Sequence, residues 1–476
     1  MQAGVITSRL YALIIQRELA KRNFVFTLFA STKAHRYNHY MNSFDEFALT
    51  VPRVLLPAQK DLATWCVIAC DQFTQDEHYW QAVKQITDGH PSTLNLILPE
   101  ILLAHKSDEE IQCCASAIQE AMRDYLASGV FDDERTCFVY VERRTAYGRM
   151  RRGLVAAVDL EGYEWQPFSK SLIRATEATI ESRIPARKKI RQGAALEVPH
   201  VMLLANDPDD VFIGGAAHLA KRKPPVYSGS LMLGSGSITG WAVDDAASLD
   251  EVRRFLGVLK GHSLEEGGSC FLFAVGDGNH SLATAKAVWQ EEKHKAKPNE
   301  ALRFALVEIV NIFDQGLTFE PIHRVLFDCG GRDLIPFLCE RLCCEAAPCQ
   351  SEEELALQVK ASPCCVGVSW REGSLQKFAV LDTRAQELAV SRLQPLLDEF
   401  CRQHGCTIDF IHGSDEVLKL ARVQGTTALL LPPVDKASFF DTIARRGPLP
   451  RKSFSMGEAS EKRFYLECRK LFLATQ

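Results

Sequence analysis

The heptapeptide Asp277-Gly278-Asn279-His280-Ser281-Leu282-Ala283 constrains this chain more than any other stretch. An apolar run, Phe271 to Val275, leads into it, and Leu282, Ala285 and Trp289 leave it at helical spacing. Strand, glycine turn and helix start follow one another without a spacer. Such a turn aims backbone N–H groups and the positive end of a helix dipole at one spot, which suits an anion and phosphate above all. An acid, an amide, an imidazole and a hydroxyl stand on the same turn. The competing reading is an ordinary strand-to-helix turn whose Asp or Asn satisfies helix-end donors.

Composition limits the classes. The chain has 476 residues, enough for two or three domains, with 46% hydrophobic and 24% charged residues. A net charge of -5 gives no support to a nucleic-acid or acidic-membrane partner. No apolar run approaches a membrane span. Residues 1–40 carry six Lys/Arg and one acid, so the rest has a net charge of -10. Three readings compete for this segment: a start assigned too early with Met41 the true first residue, a native basic helix, or a targeting segment. The sixteen cysteines lack zinc-knuckle spacing and several sit in apolar runs. Free structural thiols and a cytoplasmic location are the expectation.

From Val51 onward short apolar runs alternate with helical patterns, which predicts a mixed α/β (α+β) fold. Strands are expected at Cys66–Cys70, Leu94–Leu98, Phe138–Glu142, Gly153–Asp159, His200–Ala205, Ile238–Val243, Cys270–Val275, Leu306–Asn311 and Glu320–Phe327. Helices are expected at Asp108–Ala127, Ser248–Lys260 and Ser281–His294, the first capped by Ser107 or Asp108 with Glu110. The expected division is an extra segment 1–40, a main α/β domain 41–328, a smaller α/β lobe 329–446, and a C-terminal segment 447–476 that returns to the main-domain site.

Three segments carry candidate chemistry. In the turn, Gly278, Asn279 and Ser281 would bind phosphate, and Asp277 would hold a metal or accept a proton. Around Ser171–Thr179, Arg174 and Glu177 lie three apart, as do Thr176 and Thr179, so a helix would put each pair on one face. That face would suit a phosphorylated ligand, or would be a solvated surface helix with an ion pair. In Pro450–Gly457, Lys452 and Ser453 could wrap a phosphate, or belong to a disordered basic tail. Asp71, at the end of an expected strand, and His323 and Arg324 are further candidates. An isolated histidine on an apolar strand is more often structural. No serine-hydrolase elbow and no H-E-x-x-H are present.

Together the segments Ala69–Gln72, Pro91–Glu100, Ile173–Thr179, Val275–Lys286, Glu320–Arg324, Leu431–Lys436 and Leu449–Gly457 resemble the family known as domain of unknown function 1015. The likeness runs from about Phe44 to the C-terminus and leaves out residues 1–40. More distantly, the Asp-Gly-x-His turn resembles that of the ParB/sulfiredoxin-like superfamily, which includes kinases of free serine. This implies a ParB/sulfiredoxin-like core, a nucleotide (ATP or ADP) phosphate on Asp277–Ser281, and a hydroxyl-bearing acceptor nearby. Magnesium on Asp277, a base at Asp277 or Glu177, and charge neutralisation by His280, Arg174 and Lys452 follow as expectations. Asn279 and Ser281 stand where the superfamily often has His and Arg, and Asn95 where the family has His.

The expected partner is a small phosphorylated molecule, with no nucleic acid and no membrane. The leading function is phosphoryl transfer to a small hydroxyl metabolite such as serine. The alternative is a non-catalytic protein that binds or senses a nucleotide or phosphometabolite.

Overall fold

In the computed structural model the described residues are 44–472, apart from 75, 178–183, 200, 266–267, 330, 384–387 and 451. Residues 1–40 and Thr179 therefore lie outside them.

The apolar runs form a ten-stranded mixed sheet. Its strands are β1 (Leu49–Thr50), β2 (Phe138–Arg144), β3 (Met150–Asp159), β4 (Tyr163–Glu164), β5 (Ile173–Ala175), β6 (Met202–Ala205), β7 (Tyr227–Ser230), β8 (Ser237–Val243), β9 (Phe273–Asp277) and β10 (Phe304–Asn311). They lie in the order β7-β8-β2-β3-β10-β6-β9-β5-β4, with β1 on β3. The central strands are buried on both faces, as their unbroken apolar runs require: every residue of β6 and the run Gly153–Val158 of β3 is buried. β9 runs parallel to β5 and antiparallel to β6. The Asp277 turn therefore leaves from within the sheet rather than from an edge.

The helix Asp108–Ala127 has the expected bounds and closes a capping box between Ser107 and Glu110. The segment Leu94–Leu98 is not a strand. Thr93–Leu96 is a 3-10 turn started by Ser92, whose hydroxyl accepts from the Leu94 N–H. A side-chain oxygen close to the backbone competes with a ladder and wins here. Asn95 in this turn donates to the Tyr125 hydroxyl at 2.9 Å.

A second, antiparallel sheet holds β11 (Phe319–Phe327), β12 (Ala346–Cys349), β13 (Cys365–Glu372), β14 (Leu375–Asp382), β15 (Thr407–His412), β16 (Thr427–Leu430) and β17 (Phe454–Met456). It starts at Phe319, ahead of the glycines at 330–331. An apolar cluster joins the lobes: Met202, Leu204, Ala274 and Val310 of the first sheet pack with Leu326, Phe439, Phe454 and Met456. Phe440 meets Phe271 at 4.8 Å between ring centroids.

The C-terminal residues cross between the lobes. Leu449 donates to the Thr176 carbonyl at 2.7 Å, and β17 pairs with the start of β11. Phe464–Tyr465 then pairs with Val67–Ile68, and Arg469–Lys470 with Leu196–Glu197. Buried ion pairs fix this return: Arg463 reaches Glu308 at 2.9 Å and Arg469 reaches Glu197 at 2.7 Å. All sixteen cysteines are free thiols. No helix of the described residues is long and apolar enough to cross a membrane.

Candidate functional site

β9 ends at Asp277, Gly278 takes a left-handed backbone (φ 78°, ψ 28°), and the helix Asn279–Glu292 begins at once. A β-carbon at Gly278 would touch the Val201 side chain at 3.0 Å, so both backbone angle and space select glycine. The turn opens onto a polar cavity of about 420 Å³ between the lobes. Asp277, Gly278, Asn279 and His280 line it from the turn, Glu177 from the end of β5, Asp71 from the loop after Val67–Ile68, and Lys452 and Lys462 from the C-terminal crossing.

Asp277 spends one carboxylate oxygen on its own turn, accepting from the Gly278 N–H at 2.9 Å. The other oxygen, Oδ2, is buried without a hydrogen-bond partner among the described residues and faces Lys462 Nζ at 3.5 Å. Glu177 is clasped by the crossing segment, accepting from the backbone N–H groups of Ser453 and Lys452. Burial, reinforced by the Asp277 charge, nevertheless pushes its carboxyl up to about 7.

Asn279 looks inward. Its Oδ1 accepts from the Thr176 N–H at 3.2 Å, and its Nδ2 donates to the Thr176 hydroxyl and the Val275 carbonyl. Thr176 Oγ1 in turn donates to Val275 O at 2.5 Å. The amide bolts the end of β5 to the turn, and so fixes Glu177 relative to Asp277. Lys452 carries a positive φ of 53°, a strained setting for a residue with a β-carbon, and its ammonium lies 5.6 Å from the Phe410 ring centroid.

Several expected residues are not brought to the cavity. Arg174 lies in a strand, not a helix, so the three-residue spacing to Glu177 sets no common face. Its guanidinium is buried against the Phe271 ring and grips Glu265 through its two terminal nitrogens, at 3.0 and 2.6 Å. A guanidinium committed to a carboxylate in this way is not on offer to a phosphate. Ser281 lines a different, apolar cavity on the other side of the helix start, because consecutive helical residues point about a third of a turn apart. Ser453 is buried and its hydroxyl donates to Pro450 O, so only its backbone serves Glu177.

His323 and Arg324 are scaffold. His323 Nδ1 accepts from the Leu431 N–H at 3.0 Å, and burial lowers its pKa to about 4. Arg324 is fully buried and holds Gln394 Oε1, Ile322 O and Lys452 O, which supports the strained Lys452 from beneath.

Lys462, Glu100 and His412 line the cavity without having been expected there. Lys462 follows the Pro450–Gly457 motif but belongs to no motif of its own. Only the crossing of the chain brings it 3.5 Å from Asp277.

The cavity thus holds four carboxylates, Asp71, Glu100, Glu177 and Asp277, against two ammonium groups. Among the described residues no three or more His, Cys, Asp or Glu are disposed to hold a metal ion by themselves.

A family model described as Protein of unknown function (DUF1015) matches residues 52–360, and the chain belongs to that family. No curated protein matches. Among solved structures, a mutant free serine kinase in complex with AMP is similar at 9% identity with a TM-score of 0.37, covering 67% of this chain and 92% of that one. A conserved hypothetical protein from Pyrococcus furiosus is similar at 10% identity and a TM-score of 0.32, over 67% of this chain and 95% of its own. SbnI with a C-terminal truncation, from Staphylococcus aureus, is similar at 10% identity and a TM-score of 0.32, over 64% of this chain and 82% of that chain.

Proposed function

We propose that this chain binds the phosphates of a nucleotide (ATP or ADP) at the Asp277–His280 turn and transfers a phosphoryl group to a small hydroxyl metabolite, serine being the leading candidate. The observation that carries this reading is the meeting of Asp277, His280, Glu177, Lys452 and Lys462 around one cavity at the start of a helix. Phosphoryl transfer asks a protein mainly for positioning and charge neutralisation. The helix start, Lys452 and Lys462 supply positive potential. Lys462 takes the part first expected of Arg174.

Glu177 is suited to accept the hydroxyl proton of the acceptor. Its carboxyl titrates near neutrality, where a general base works best, and Asn279 and Thr176 hold its strand end in register with the turn. The surplus of carboxylates would repel a bare polyphosphate. It fits a nucleotide that brings magnesium with it, since that ion takes one or two protein carboxylates and completes its shell on phosphate and water. Asp277, whose Oδ2 makes no hydrogen bond and faces only the Lys462 ammonium among the described residues, is the residue that would hold the ion, which would supply charge neutralisation on the transferred group. The same carboxylates suit the ammonium group of an amino-acid acceptor.

The test is incubation of purified full-length protein with ATP or ADP, magnesium and L-serine, reading phosphoserine. Turnover abolished by Asp277→Ala and by Glu177→Gln is expected. Nucleotide-induced thermal stabilisation with no product under any pairing would replace this reading with a sensing one. Neither stabilisation nor product would reject both.

A further inference from the structure

The helix start at Asn279 separates two cavities. One is the polar cavity just described. The other, of about 170 Å³, lies on the Ser281–Leu282 side and is lined mainly by apolar side chains, among them Leu98, Met122, Leu282 and Ala285. Asp71 and Glu100 border both. A ligand seated in the polar cavity is therefore one side chain away from an apolar chamber.

That chamber contains a polar device. Arg191 enters it from the helix Ile184–Arg191, with a side chain only 15% exposed. Its Nη1 pairs with Glu197 at 2.7 Å, but Nε and Nη2 are buried with no hydrogen-bond partner among the described residues. Glu197 is occupied, accepting also from Arg469 and from the Leu306 N–H. Buried donors left unmade are costly, and an acceptor that reached them would recover that cost. An apolar wall, two unmet donors and two carboxylates at the mouth together describe a small, flat, mostly apolar group that carries both acceptors and a donor.

We propose that this chamber is a nucleobase subsite, taking an adenine-type base whose ring nitrogens accept from Arg191 and whose ribose hydroxyls donate toward Asp71 or Glu100 at the mouth, while its phosphates occupy the polar cavity. This rests on the phosphate reading of the polar cavity and adds the place where the base of that nucleotide sits. Flat apolar burial with a few placed polar groups is how small-molecule sites achieve selectivity.

The test is calorimetric titration of the full chain with adenosine, inorganic pyrophosphate and ADP. The wild type is compared with Ala285→Leu and Ala194→Leu, each of which enlarges a side chain that lines the chamber. Adenosine should bind and compete with ADP, and ADP should bind at least about tenfold more tightly than pyrophosphate. Both variants should abolish adenosine binding and bring ADP down to the pyrophosphate level, with pyrophosphate unchanged. Melting without ligand checks that each variant folds. Hydrogen exchange on the wild type, with adenosine protecting 279–292 and 188–199, locates the base with no variant at all. ADP binding no tighter than pyrophosphate and indifferent to both variants overturns the base subsite and leaves the phosphate reading standing. Adenosine binding lost in the variants, with pyrophosphate never bound, upholds the base subsite and removes the phosphate reading. Silence from all three ligands, or adenosine protection elsewhere, overturns the proposal.

Discussion

Lys462 Nζ stands 3.5 Å from Asp277 Oδ2, across a gap of nearly two hundred residues of chain. Both side chains are nearly buried, at 11% and 15% exposure. The pair places a cation over the one carboxylate oxygen that the turn leaves without a hydrogen bond.

Lys462→Met is therefore expected to weaken binding of pyrophosphate or ADP by about tenfold, equivalent to about 1.4 kcal/mol. Asp277 keeps its bond to the Gly278 N–H, so the turn should stay formed. Calorimetric affinity read beside the melting temperature checks this. Unchanged affinity would remove Lys462 from the site.

Glu177 makes stability depend on pH in a defined direction. Its carboxyl titrates near 7 in the folded chain against 4.5 when unperturbed, because burial and Asp277 disfavour the charge. A raised carboxyl favours the folded state fully below the lower value, and that contribution is lost as pH rises through the higher one. Glu177→Gln should thus melt above the wild type at pH 8, by up to about 3 kcal/mol, and approach it below pH 5. Paired melting curves across this range decide it. An offset independent of pH would contradict the assignment.

Arg174→Ala is expected to act on stability and not on ligand. It strands Glu265 and uncovers the Phe271 ring, a loss of about 3 kcal/mol for a largely buried pair. Nucleotide affinity, measured at a temperature where the variant remains folded, should match the wild type. A selective loss of affinity would return Arg174 to the site.

His323→Ala should cost about 1–3 kcal/mol, since it removes the acceptor for the buried Leu431 N–H. Burial lowers His323 from 6.5 to about 4. A lowered histidine stabilises fully above its unfolded value, and that stability is lost as pH falls through the folded one. The wild type should lose stability between about pH 6.5 and 4 in part through this group, and the variant should show a shallower slope there. Chemical denaturation at stepped pH tests both.

The turn was legible because its signals are local: the apolar run, Gly278 and the helical spacing after it need no distant partner to be read. The roles of its side chains were less so. Asn279 reads as a phosphate ligand in isolation, but Thr176, a hundred residues away, claims both ends of its amide. Arg174 reads as a phosphate-binding arginine until Glu265 is beside it.

What the sequence by itself determined is the mixed α/β class, the strand–glycine–helix corner at residue 277 and the capped helix from Asp108, because hydrophobic period, caps and left-handed glycines act over a few residues. Only the tertiary structure decided which charges face that corner. An arginine and a lysine carry the same label in a sequence. Which of them stays available is settled by the carboxylate each one meets, and here a strand buried Arg174 against Glu265 while the returning C-terminal segment carried Lys462 to Asp277.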